Sequence, residues 1–170
     1  MSTTIFEYFG TLPEERIDQN MMELSHEIGH HFQDIAWLKK AFYTKVTMET
    51  NEEKYANSPM GTLGDRVLSL IIAEDLFDEG KTSKEITFEK AEKENSERWF
   101  KITNKMELFR YAFNDTYFFD EAPEHEKLPH GKHDRYFEAL VAAIYKDLNC
   151  FEQAKVIVKG LLDKWEREGA

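Results

Sequence analysis

Cysteine is nearly absent from this chain. Cys150 stands alone among 170 residues, so no intramolecular disulfide can close and four-cysteine zinc sites are excluded. Long apolar runs are missing too. No window approaches the roughly 18 apolar residues that a membrane-spanning helix needs. The N-terminus, MSTTIFEYFGTLPEERIDQN, lacks the basic segment and apolar core of a secretory signal. Repeats and low-complexity linkers are also lacking. The expectation is one globular domain in the cytoplasm, without a membrane partner.

Positive charge is scarce as well: 22 Lys and Arg face 33 Asp and Glu, for a net charge of −11. Diffuse acidity repels phosphates, because nucleic-acid affinity comes mainly from cations that displace counterions. An RNA or DNA function therefore needs a local basic patch, or divalent cations that invert the field. Short of that, the acidity simply favours solubility. Apolar residues are abundant at 41%, with 13 Phe, 7 Tyr and 3 Trp, which argues for a packed core rather than disorder.

The apolar spacing is helical throughout. HHFQDIAWLKKAFYTKV places Phe32, Ile35, Ala36, Leu38 and Phe42 at steps of three and four. LGDRVLSLIIAEDLF is apolar nearly all round and predicts a central, buried helix. Pro59 suits its first turn, Gly80 ends it, and Thr82 with Glu85 forms a capping box for the next helix. ITFEKAEKENSERWFKITNKMELFRYAFN is mixed, charged first and aromatic later. Residues 115–134, with Pro123, Pro129, Gly131 and His125, His130 and His133, read as an irregular loop. RYFEALVAAIYKDL and FEQAKVIVKGLLDKW supply two final helices. No segment combines strand alternation with turn signals, so the fold class is all-α. Trp37, Trp99, Phe109, Tyr111 and Phe113 are expected in the core, and Lys101, Lys105 and Arg110 on a solvated surface.

His26-Glu27-Ile28-Gly29-His30 matches H-E-x-x-H, in which two histidines one helical turn apart grip zinc and the glutamate activates water. Such a site needs a third protein ligand. Glu49, Glu52 and Glu53 are near enough in sequence but lack a helical context, and Gly29 inside a helix costs about 1 kcal/mol relative to Ala. A zinc metalloprotease is therefore a distant alternative. The expectation for His26 and His30 is a partly exposed helix face.

The same residues suit another pattern. EIGHHFQDIAWLKKAF resembles the opening of ribonuclease III domains, with Ile28, Gly29, His30, Phe32, Asp34, Leu38, Ala41 and Phe42 at the matching places. NSPMGTLGD resembles the family's nine-residue signature, and DRYFEALVAAIY its second acidic helix. The resemblance spans about residues 20–163, leaving 1–19 as an N-terminal extension and 164–170 as a tail. It implies an all-helical domain that forms a symmetric homodimer and cuts double-stranded or structured RNA. Its cofactor would be Mg²⁺ (or Mn²⁺), held by four carboxylates. Oxygen ligands suit Mg²⁺, and such ions generate hydroxide and stabilise the leaving oxygen.

Carried over residue by residue, Asn57 and Asp65 match the signature, and Glu138 matches the second helix. Asp65 and Glu138 are the implied catalytic and metal-holding residues. Two carboxylates are replaced, by Gly61 and Arg135; Ser58 and Pro59 stand for a glutamate and an arginine, and Thr62 for a phenylalanine used in dimer packing. Asp134, one residue off register, is the candidate substitute ligand. Arg135 is equally placed to neutralise Glu138 through an i, i+3 pair, and Asp65 near a helix start could serve only the helix dipole.

Two functions follow. One is a metal-dependent endoribonuclease with an altered site; the other is a catalytically silent dimeric module that binds RNA or scaffolds a ribonucleoprotein. The chain ends at Ala170, so no separate double-stranded-RNA-binding domain is expected, and a partner protein supplying RNA affinity is. The RNA-binding residues are not identified by the sequence.

Overall fold

The computed structural model describes residues 11–122 and 134–167, without the side chains of Val46, Glu49, Glu52, Glu53 and Asp134. The order is α1 (Glu14–Ile28), α2 (Ala36–Phe42), β1 (Val46–Glu49), β2 (Glu52–Tyr55), α3 (Ser58–Asp78), α4 (Ser83–Lys93), α5 (Ser96–Lys105), α6 (Asp134–Leu148) and α7 (Phe151–Arg167), with short 3-10 turns at Leu108–Tyr111 and Phe119–Glu121. His125, His130 and His133, and most of the loop that contains them, lie outside the described residues.

The centre of the fold is α6. Alanines 139, 142 and 143 alternate with Phe137, Leu140, Val141 and Ile144, and all are completely buried. Small residues let neighbours approach from several sides, so α2, α3, α5 and α7 pack around this helix. Trp99 stacks on Phe137 at 5.6 Å and Phe42 on Tyr136 at 5.9 Å. The expectation that α3 is the wholly buried helix is corrected. It buries Val67, Leu68, Ile71, Ile72 and Leu76, while Leu70 and Phe77 are 53% and 70% exposed.

Local chemistry sets the helix ends. Pro59 lies in the first turn of α3, where a missing N–H costs nothing. Thr82 and Glu85 form the expected capping box. Asn95 accepts a hydrogen bond from Arg98 N at 2.7 Å, so the mixed segment splits into α4 and α5. The helix expected from Phe32 begins only at Ala36, where Asp34 Oδ1 accepts from Ala36 N at 3.0 Å. Trp99, Tyr111 and Phe113 are buried, and Trp37 and Phe109 pack against the core.

The expected absence of strands also needs correction. β1 and β2 pair antiparallel, Val46 opposite Tyr55, through Thr50 and Asn51 at φ of 50° and 65°. Two left-handed residues make the tight turn of a two-residue hairpin. Thr-Asn is a weak signal for it, and the four-residue strands are too short and polar to alternate. Among the described residues no helix is long and apolar enough to cross a membrane.

Candidate functional site at the contact of two helices

The H-E-x-x-H residues do not assemble. α1 stops at Ile28, and Gly29 takes the left-handed C-cap conformation at φ 71°, which glycine adopts without Cβ strain. His26 is exposed in the last turn of α1, and Glu27 accepts from the Tyr111 hydroxyl at 2.7 Å. Burial, reinforced by that carboxylate, pushes the Tyr111 hydroxyl above its ordinary range. His30 lies past the helix end with its side chain 8% exposed, its Nε2 2.9 Å from Asp147 Oδ2. The two histidines therefore share no helix face, and His30 is not exposed as expected. Glu49, Glu52 and Glu53 fall on the hairpin. The glycine that seemed to interrupt a helix is the residue that ends it.

Asp147 is the residue that sequence reasoning missed. Its side chain is 1% exposed, and its Oδ1 accepts from Asp34 N at 2.9 Å while Oδ2 accepts from Gln33 N at 3.1 Å. With His30 as third partner, it ties the end of α6 to the segment between α1 and α2. Ser25 braces the same segment, donating to His30 O at 2.5 Å and accepting from Phe32 N at 3.3 Å. The only sequence signal for Asp147 was an acid in the last turn of an otherwise apolar helix.

The residues matched to the signature and to the second acidic helix meet where α3 crosses α6. The approach is closest at Gly64, where a Cβ would fall 1.6 Å from the backbone oxygen of Glu138. Only glycine allows that contact. Its chain neighbour is Asp65, so the two surviving carboxylates come from adjoining positions on the two helices, and both residues are half-buried. Asp65 sits two turns into α3, beyond the first-turn reach of the helix dipole, so the dipole does not account for it. Asn57 is buried and donates from Nδ2 to Ala41 O at 3.1 Å, joining the end of α2 to the start of α3.

One turn before Gly64, Gly61 faces Arg135. A Cβ there would stand 3.7 Å from Arg135 Cβ and 3.9 Å from its Cγ, ordinary contact distances. The two departures from the family pattern are thus neighbours across the helix contact. Arg135 is exposed, and among the described residues no ion pair joins it to Glu138. The side chain of Asp134, the candidate substitute ligand, lies outside the described residues, although its backbone begins α6. Among the described residues no group of three or more His, Cys, Asp or Glu could hold a metal ion. With Gly61 and Arg135 at two of the four matched positions, only Asp65 and Glu138 of that carboxylate set are present in the chain.

The topology and the α3–α6 contact define a predominantly helical domain with one short hairpin. The family model for the ribonuclease III domain matches residues 60–149, more than half of the chain, and the protein belongs to that family. The nuclease domain of ribonuclease III from Campylobacter jejuni is similar in structure. One structure, described as showing flexibility in a region involved in dimer formation, matches at 25% identity and a TM-score of 0.67, covering 85% of this chain and 96% of that one. Another, at 2.2 Å resolution, matches at 26% identity and a TM-score of 0.66, covering 86% and 95%. No curated protein matches the chain.

Proposed function

We propose that this chain engages double-stranded or structured RNA as a homodimeric ribonuclease III-type domain whose metal-dependent cleavage is dismantled. The observation that carries this reading is the juxtaposition of Gly61 and Arg135 at the site of two of the family's carboxylates. A guanidinium opposes a divalent ion. At about 4 Å and an effective dielectric near 20, each pair of unit charges is worth about 4 kcal/mol, and the metal is doubly charged. In the family, divalent metal supplies the activated water and the charge stabilisation. Here the described donors fall short of what such a centre requires.

A second reading keeps hydrolysis. It is favoured by the Gly64–Glu138 contact, which places the positions of Asp65 and Glu138 side by side. Those two residues, with Asp134, would then hold Mg²⁺ or Mn²⁺. Incubating a long RNA duplex with the pure protein at low salt and Mg²⁺ or Mn²⁺ separates the readings. Binding without cleavage supports the first. Cleavage lost in both Asp65→Ala and Glu138→Ala supports the second.

The fold reads a duplex by shape and backbone rather than by base edges. With a net charge of −11, intrinsic affinity is weak and falls steeply with salt. A partner protein that supplies further cationic surface fits this arrangement. Thr62 is exposed where the family pattern places a phenylalanine used in dimer packing, which predicts a looser dimer, measurable by light scattering across a dilution series.

A further inference from the structure

Most described cations on this surface are matched to acids. Lys101 pairs with Glu97 at 2.6 Å, Lys45 with Asp115 at 2.8 Å and Lys81 with Glu89 at 2.9 Å. Lys40 of α2 and Lys146 of α6 are different. Both are exposed, and neither makes an ion pair or hydrogen bond with any described residue. Instead the two converge on one indole: their Nζ atoms stand 5.5 Å and 5.1 Å from the centre of the Trp37 ring. Trp37 is half-buried, on the edge of a cavity of about 540 Å³ whose apolar wall is Ile17, Ala36, Trp37, Tyr43 and Phe113. That volume lies in the range of ligand pockets. The acids nearby are already committed. Glu14 and Asp18 hold Lys39, Asp115 holds Lys45 and accepts from the Tyr43 hydroxyl at 2.6 Å, and Asp34 accepts from Ala36 N. Two unmatched ammonium groups therefore remain at Trp37, on a chain of net charge −11.

We propose that Trp37, Lys40 and Lys146 form a docking point for an unpaired stretch of RNA, with one base against the indole and the two ammonium groups on neighbouring phosphates. The proposal rests on the RNA reading above and adds the residues that hold a single-stranded flank of the duplex. Unpaired bases stack on aromatic side chains with little regard to sequence, and cations beside the ring follow the backbone. An ammonium over an exposed ring is weakly held, whereas its hydrogen bond to a phosphate is charge-assisted and stronger. A base entering the cavity therefore displaces an ammonium from the indole toward a phosphate. Lys146 lies eleven residues beyond Arg135 on α6, about 16 Å along the helix. The docking point is thus separate from the α3–α6 contact and requires no metal.

The test is fluorescence anisotropy with the intact protein at low salt in EDTA, using a labelled blunt RNA duplex and the same duplex with a short single-stranded overhang. Wild type should bind the overhang duplex about tenfold more tightly than the blunt one. Lys40→Gln and Lys146→Gln should each weaken overhang binding several-fold and lower the slope of log affinity against log salt by about 0.7. Blunt-duplex binding should change less than about twofold in both. Trp37→Leu should remove the advantage of the overhang without changing the salt slope. Lys101→Gln, whose ammonium is already paired with Glu97, should behave as wild type. Thermal melts establish that each variant is folded, and the two lysine variants carry the test if Trp37→Leu is not. Equal binding of the two RNAs by wild type, or overhang binding that both lysine variants leave unchanged, overturns the docking point while the RNA reading stands. Binding to neither RNA overturns both.

Discussion

Gly61 lies against Arg135: a Cβ on the glycine would stand 3.7 Å from the arginine's own Cβ. The two positions belong to different helices and are far apart in sequence, yet they are the two at which carboxylates of the ribonuclease III pattern are missing. Their contact puts both changes at one place in the fold. A carboxylate at 61 would pair with the guanidinium, and a carboxylate at 135 beside Gly61 would leave an incomplete set of metal donors.

The glycines of α3 and α7 separate close packing from vacancy. Gly64→Ala should destabilise the fold by about 1–3 kcal/mol or more, because its Cβ meets helix backbone that cannot move aside. Gly61→Ala has ordinary contact distances, and Gly160 in α7 has nothing within 4 Å. Each should gain ~0.5–1 kcal/mol in helix preference. Urea denaturation of the three variants checks the order.

Asp147 should be the most sensitive buried acid. Asp147→Ala leaves the buried His30 without its partner and removes the acceptor of the Gln33 and Asp34 amides, at a cost of about 1–3 kcal/mol. His26→Ala, at an exposed position, should fall within about 0.5 kcal/mol of wild type. The same contrast bears on zinc. Metal analysis of the purified protein should find no stoichiometric zinc, in wild type and in His26→Ala alike.

Asp75 gives a pH dependence of known sign. Burial works to raise its pKa, but hydrogen bonds from Lys159 and Lys155 win and hold it below the ordinary 3.8. A carboxylate with a lowered folded pKa contributes stability that is fully present above the unfolded value and is lost as pH falls through the folded one. Stability should therefore drop more steeply below about pH 4 in wild type than in Asp75→Asn. Chemical denaturation at stepped acidic pH reads the difference.

Helices with strong apolar spacing were legible in the sequence: α3, α6 and α7, the Thr82–Glu85 cap and the Pro59 start all stand where periodicity and capping chemistry place them. What was not legible depended on tertiary contact. Gly29 reads alike inside a helix or as its stop, and only the packing of His30 against Asp147 decides. The burial of α6 over α3 follows from three alanines that admit neighbours on every side. The Thr-Asn hairpin lacks both apolar alternation and the common Asn-Gly turn. At the site, the ordered motifs pointed to Asp65, Glu138, Gly61 and Arg135, but nothing in one dimension reveals that Gly61 and Arg135 touch or that Gly64 rests on Glu138.

The central claim, that the Gly61–Arg135 pair has dismantled metal-dependent cleavage, is tested by comparing wild type with Gly61→Glu/Arg135→Asp on a long RNA duplex in Mg²⁺ and Mn²⁺. The account predicts that wild type binds without cutting, and that the double variant, in which a Cβ at 61 meets only ordinary contact distances, gains metal-dependent cleavage. Cleavage by wild type that disappears in Asp65→Ala and in Glu138→Ala would contradict it.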